Sequence, residues 1–121
     1  MITDKLILAA EKLRDEVEPL GDMLVEQGLV DYSYNPLMYA WEPHKAFIEL
    51  GGSKGANTLL LGMNPGPHGM GQMGIPFSAT SVVRDLLGIK GLEVLQPKNI
   101  HPKRPVTGLD WHKEEVSGTR I

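Results

Sequence analysis

At 121 residues the chain fits one ordinary domain, and 41% hydrophobic with 22% charged residues is the balance of a globular protein rather than a disordered one. Cysteine is absent, which excludes disulfides, thiol nucleophiles, thiolate-bound zinc and iron–sulfur clusters, and suits a reducing compartment. The net charge of -3 divides unevenly: residues 1–50 hold four basic and ten acidic side chains and residues 51–121 hold eight and five, so the second half permits contact with a polyanion without demanding it.

The first predicted element is a helix capped by Thr3, with Leu6, Ala10, Leu13, Val17 and Leu20 on one face; Pro19 and Gly21 predict its end. Its other face, with Glu11, Lys12, Arg14, Asp15, Glu16 and Glu18, reads as solvated surface. Met23, Leu24 and Val25 read as a further helical turn before Gly28. All three tyrosines and one tryptophan lie between Tyr32 and Trp41. They could stack on nucleic-acid bases, but the reading favoured by the sequence is that they cover a core edge. Pro43 suits the start of a helix running to about Leu50, with Gly51 and Gly52 as stop signals.

Residues 57–63 form a short apolar run without helical period, predicted as a strand buried on both faces. Residues 64–77 follow with four glycines and three prolines, a composition that predicts no regular element. Thr80 or Ser81 can cap a helix through Val82, Val83, Leu86 and Leu87 that stops at Gly88. Strand, long loop and helix in that order predict an α/β arrangement. From residue 91 onward there is no long apolar period, and the segment His101-Pro102-Lys103-Arg104-Pro105 is the densest basic patch. It reads either as a phosphate contact or as an ordinary surface loop. No apolar run approaches the roughly 20 residues needed to cross a bilayer and no secretory pattern opens the chain, so the expected address is intracellular, without a membrane partner.

Ligands in open α/β sheets bind where loops follow the carboxyl ends of strands, and a long Gly/Pro-rich loop there is costly to order without a purpose. The 64–77 loop is therefore the candidate site. Its glycines match neither the dinucleotide fingerprint nor the phosphate loop with its Gly-Lys-Ser/Thr ending, so a nucleotide cofactor is not expected. His44, His68, His101 and His112 lack metal-ligand spacing, and no nucleophile elbow is present, so neither a metal site nor a serine hydrolase is expected.

The run Leu61-Gly62-Met63-Asn64-Pro65-Gly66-Pro67-His68-Gly69-Met70-Gly71-Gln72-Met73-Gly74-Ile75-Pro76-Phe77 resembles the first active-site motif of the single-strand-selective monofunctional uracil-DNA glycosylases. Tyr34-Asn35-Pro36, Tyr39-Ala40-Trp41-Glu42-Pro43-His44, Val83-Arg84-Asp85, His101-Pro102-Lys103-Arg104-Pro105-Val106 and Glu115-Val116-Ser117-Gly118 resemble the same family in the same order, so the likeness covers roughly residues 30–121. The resemblance implies part of a three-layer α/β/α fold with a central, mainly parallel sheet. Residues 1–121 would be the N-terminal portion of one glycosylase domain, exposing an apolar sheet edge and face over residues 34–88. It implies hydrolysis of the N-glycosidic bond of uracil in single- and double-stranded DNA by base flipping, leaving an abasic site, with no cofactor and no metal.

By the same resemblance Asn64 positions the attacking water, Phe77 stacks on the flipped base, and Met63 helps to hold it. Gly66 leaves room at the base C5 position, which implies acceptance of 5-hydroxymethyluracil and other oxidised pyrimidines, and Met70 lines the same loop. Lys103 and Arg104 are the candidate DNA contacts. The chain departs from the family pattern at His68, Gly71 and Ser78-Ala79, which bears on substrate breadth more than on reaction type. A second motif with a catalytic histidine, a uracil-reading asparagine and a wedge loop are expected beyond Ile121, in a C-terminal half that would be the chain's partner, so the fragment alone is expected to be nearly inactive. The expected location is the cytoplasm or nucleoid of a bacterium, or the nucleus of a eukaryotic cell. The alternative reading is a non-catalytic DNA-binding module that retains the glycosylase half-fold.

Overall fold

The computed structural model describes residues 2–89, 94–111, 118 and 120. Helix α1 spans Ile2–Glu26, running through both Pro19 and Gly21, where the sequence predicts an end. Pro19 has no amide to give the Asp15 carbonyl, but neighbouring contacts tie the chain across the gap. Asn35 Nδ2 donates to the Arg14 carbonyl at 3.1 Å and to Glu18 at 3.0 Å, while Lys98 bridges Glu18 (3.2 Å) and Asp22 (2.7 Å) on either side of the proline. These carboxylates hold the Lys98 ammonium above its usual pKa. The helix stops at Gly28, whose left-handed φ of 71° allows Gly28 N–H to reach the Val25 carbonyl and Leu29 N–H to reach that of Leu24.

A single turn, α2 (Pro36–Tyr39), leads into α3 (Trp41–Gly51), which carries Pro43 in its first turn, where its missing N–H is harmless. The Arg14 guanidinium lies over the Trp41 ring at 4.6 Å and fastens α1 to α3. Otherwise α1 buries none of its residues, and Leu8, Leu13 and Leu20 are exposed.

The expected α/β fold with a central parallel sheet is not what forms: among the described residues there is no strand, and helices are the only regular elements. Residues 57–63 are irregular, with Leu59 85%, Leu61 87% and Met63 99% exposed. A strand exists only by hydrogen bonding to a neighbour, and no backbone hydrogen bond joins this segment to another described one, so its apolar character has no ladder to join. The apolar sheet edge and face expected over residues 34–88 are therefore not formed; the apolar side chains of residues 59–63 are exposed on a coil, while Met73, Ile75 and Val83 are buried.

The 64–77 loop is more ordered than its composition predicts. Gly69 and Gly71 both donate to the Gly66 carbonyl, and the turn α4 (Met70–Met73) follows, ending at Gly74 with φ of 71°. A Cβ on Gly74 would stand 2.7 Å from the Ala40 carbonyl oxygen, so glycine is what lets α4 close on the start of α3. The helix predicted after Thr80 is present, but Val82–Leu86 is wound as a π-helix, with Leu87 N–H on the Val82 carbonyl, before it stops at Gly88 as expected. Ser81 precedes this winding without a side-chain capping bond.

Two small cores flank α4. One joins Met73, Ile75, Val83 and Ile89 with Phe47 and Leu109, and the other joins Tyr39, Ala40 and Val106 with Tyr34 and Val94. The second half of the loop that carries the candidate site, with the residues just after it, is thus the best-buried stretch among the described residues: residues 72–75 and 78–80 are buried, while Asn64, Pro65 and Pro67 are exposed.

Candidate functional site

Met63, Asn64, Gly66, Met70 and Phe77 line one cavity of about 520 Å³, completed by Leu60, Leu61, Pro65, Pro76 and Ser78. Every base-binding and catalytic residue read from the sequence is brought to this one place. The floor is fixed from behind. Tyr39 hydroxyl donates to the Gly71 carbonyl at 2.5 Å, and His44 Nδ1–H donates to the Gly74 carbonyl at 2.6 Å, so α2 and α3 grip both ends of α4. Burial of each ring away from water raises the Tyr39 pKa and lowers that of His44, so both stay neutral.

Phe77 is the one non-glycine residue among those described with positive φ, at 50°. A bulky side chain in the left-handed region costs roughly 1–2 kcal/mol, so surrounding structure must impose it. Ser78 supplies part of that constraint, its hydroxyl donating to the Ile75 carbonyl at 2.5 Å. The strained backbone aims the ring at the opposite wall, where Gly62 leaves space: a Cβ there would lie 3.2 Å from the ring edge. Asn64 and Met63 stand exposed at the mouth. The described lining residues include no acid, no histidine and no cation; they offer an amide, an aromatic face, sulfur-bearing side chains, a hydroxyl and backbone. None of the described side chains form a cluster able to hold a metal ion.

Lys103 and Arg104 lie away from this cavity. Arg104 lines a second one of about 420 Å³ that shares Pro65 with the first, and Lys103 lines neither. The same second cavity takes in Tyr32, Tyr34 and Tyr39, so the aromatic segment divides: Tyr39 is 3% exposed and belongs to the core, whereas Tyr32 faces solvent.

Two features escaped the sequence reading. Gln72, 3% exposed, donates to the Pro105 carbonyl at 2.7 Å and accepts from the amides of Thr107 and Gly108 at 2.8 and 3.1 Å, joining the site loop to the basic segment. His68 stacks on Trp111 with ring centroids 5.8 Å apart and accepts the indole N–H at 3.0 Å. An amide between glycine and methionine in a loop is the signal that could have suggested a buried polar tie; the His68–Trp111 pair has no local signal.

No protein-family model matches the chain. Among curated proteins it is 52% identical over 93 residues to the "Single-strand selective monofunctional uracil DNA glycosylase" of Bos taurus, covering 77% of this chain and 34% of that protein. It is 54% and 53% identical over 88 residues to the proteins of that name from Rattus norvegicus and Mus musculus, covering 73% of this chain and 31% of each relative. The chain thus spans about a third of the length of the curated relatives it matches. At this identity, over three quarters of its residues, the chain belongs to the family of single-strand selective monofunctional uracil-DNA glycosylases.

Proposed function

We propose that the natural polypeptide carrying these residues hydrolyses the N-glycosidic bond of deoxyuridine in DNA and leaves an abasic site. The observation that carries this reading is the convergence of Met63, Asn64, Gly66, Met70 and Phe77 on one cavity, in a chain more than half identical to glycosylases over the matched region. A base flipped out of the strand stacks on the Phe77 ring. The Asn64 carboxamide cannot take up a proton at ordinary pH, so it acts by orienting a water toward the sugar C1′ and by dipolar stabilisation as the bond to the base breaks and positive charge grows on the sugar. Gly66 carries no side chain against the base, leaving room for a 5-hydroxymethyl group beside uracil.

Among the described residues, none that lines the cavity is a cation or an imidazole able to meet the negative charge on the departing uracilate. One missing donor of this kind is worth about 2.7–4 kcal/mol. The test of the reading is release of free uracil and of 5-hydroxymethyluracil from synthetic single-stranded oligonucleotides by the natural polypeptide. DNA binding without release of either base would favour a non-catalytic DNA-binding module instead.

A further inference from the structure

The second cavity shares Pro65 with the first, so the Asn64-Pro65-Gly66-Pro67 stretch stands as a wall between them. Its surface is largely aromatic and several of its polar atoms are already engaged. Tyr34 hydroxyl accepts the His101 amide at 2.8 Å and donates to the Arg104 carbonyl at 2.7 Å; the Tyr39 hydroxyl and the Gln72 amide are held as described above. The His101 Nδ1 accepts the Lys103 amide at 3.0 Å, and Tyr32 meets the His101 ring edge-on with centroids 5.0 Å apart. What the cavity presents to a ligand includes ring surface from Tyr32 and His101, with Arg104 at the rim and no acidic residue among the described lining residues. A flat, electron-rich ligand attached to an anion has this chemistry.

We propose that this cavity is a subsite for the base of a nucleotide adjoining the uridine, held by its π face, with the intervening phosphate near Arg104. This rests on the glycosylase reading for the identity of the first cavity's occupant. A strand crossing the Pro65–Pro67 wall places consecutive bases in the two cavities. An unpaired neighbour is free to enter, whereas a paired one must first unstack, so the subsite strengthens binding of single strands more than of duplexes. Ring faces, which every base can meet with its own π face, make it tolerant of base identity.

The test is fluorescence anisotropy with the natural polypeptide and single-stranded oligonucleotides containing 2′-fluoro-2′-deoxyuridine, whose electron-poor sugar resists hydrolysis. In companion strands a baseless tetrahydrofuran residue replaces the 5′ or the 3′ neighbour. Removing the base on one side should weaken binding about tenfold in the wild type and less than about twofold in Tyr32→Ala, where the stacking ring is already gone. The exposed position of Tyr32 keeps that variant foldable, and the wild-type series decides the matter by itself if it is not. Equal binding of all three strands by the wild type would overturn the subsite, as would an undiminished neighbour effect in Tyr32→Ala. Saturable binding of a proline-rich peptide that the oligonucleotide does not displace would overturn it too. Uracil release without any neighbour effect would remove the subsite alone; a neighbour effect without uracil release would remove the glycosylase reading alone.

Discussion

His44 shows how one side chain couples the stability of the site to pH. Its Nδ1–H holds the Gly74 carbonyl, and burial lowers its pKa below the usual value of about 6.5. In the unfolded chain the imidazole protonates near that usual value, while in the folded protein it resists protonation to lower pH. The unfolded state therefore binds more protons in this window, and stability is complete above about pH 6.5 and declines as pH falls toward the lowered native value. Thermal denaturation from pH 7.5 to pH 5.5 should show a steeper loss in the wild type than in His44→Asn, which keeps a donor but cannot titrate. Parallel profiles would show that the buried imidazole is not the titrating group. Phe77 illustrates the opposite kind of residue, one whose unfavourable φ is tolerated because the neighbouring Ser78 bond and the Gly62 space leave its ring where a base can meet it.

Among the elements, those whose ends depend on local chemistry were legible. Gly28 and Gly88 stop helices through their positive φ, and the helix expected from Pro43 is found within two residues as α3. Pro19 and Gly21 misled because long-range ties from Asn35 and Lys98 support α1 across them, and a local reading contains no trace of partners so far away in sequence. Residues 57–63 misled for a related reason: an apolar run reports a tendency to be buried, whereas a strand requires another chain segment as hydrogen-bonding partner. The exposed placement has a measurable consequence at Leu59, 85% exposed and outside both cavities. Leu59→Ala should change the unfolding free energy by no more than about 0.5 kcal/mol in urea titrations. A loss of about 2–5 kcal/mol, the range for a leucine in a packed core, would mean that this segment is buried in solution.

For the molecule as a whole, the gathering of the candidate residues on one cavity was more legible than the architecture around it. Met63, Asn64, Gly66, Met70 and Phe77 lie within one short stretch of sequence, and a loop that turns back through Gly66 and Gly74 inevitably draws them together. The second cavity was not legible, since it joins Tyr32 and Tyr34 to His101, Arg104 and Trp111 across most of the chain length, contacts that no periodicity encodes. Gln72 ties the Pro105–Gly108 backbone to the site loop, so Arg104 is carried to the lining of the second cavity. In the proposed function Asn64 acts on the reacting sugar from the mouth of the first cavity. This role is tested most directly by single-turnover release of uracil from a single-stranded oligonucleotide by the natural polypeptide and by Asn64→Ala, with DNA affinity measured in parallel. A fall in the release rate of about a hundredfold or more, with affinity changed less than about threefold, is the predicted result, since an orienting group acts on the transition state and not on ground-state binding. Release by Asn64→Ala at the wild-type rate would contradict it.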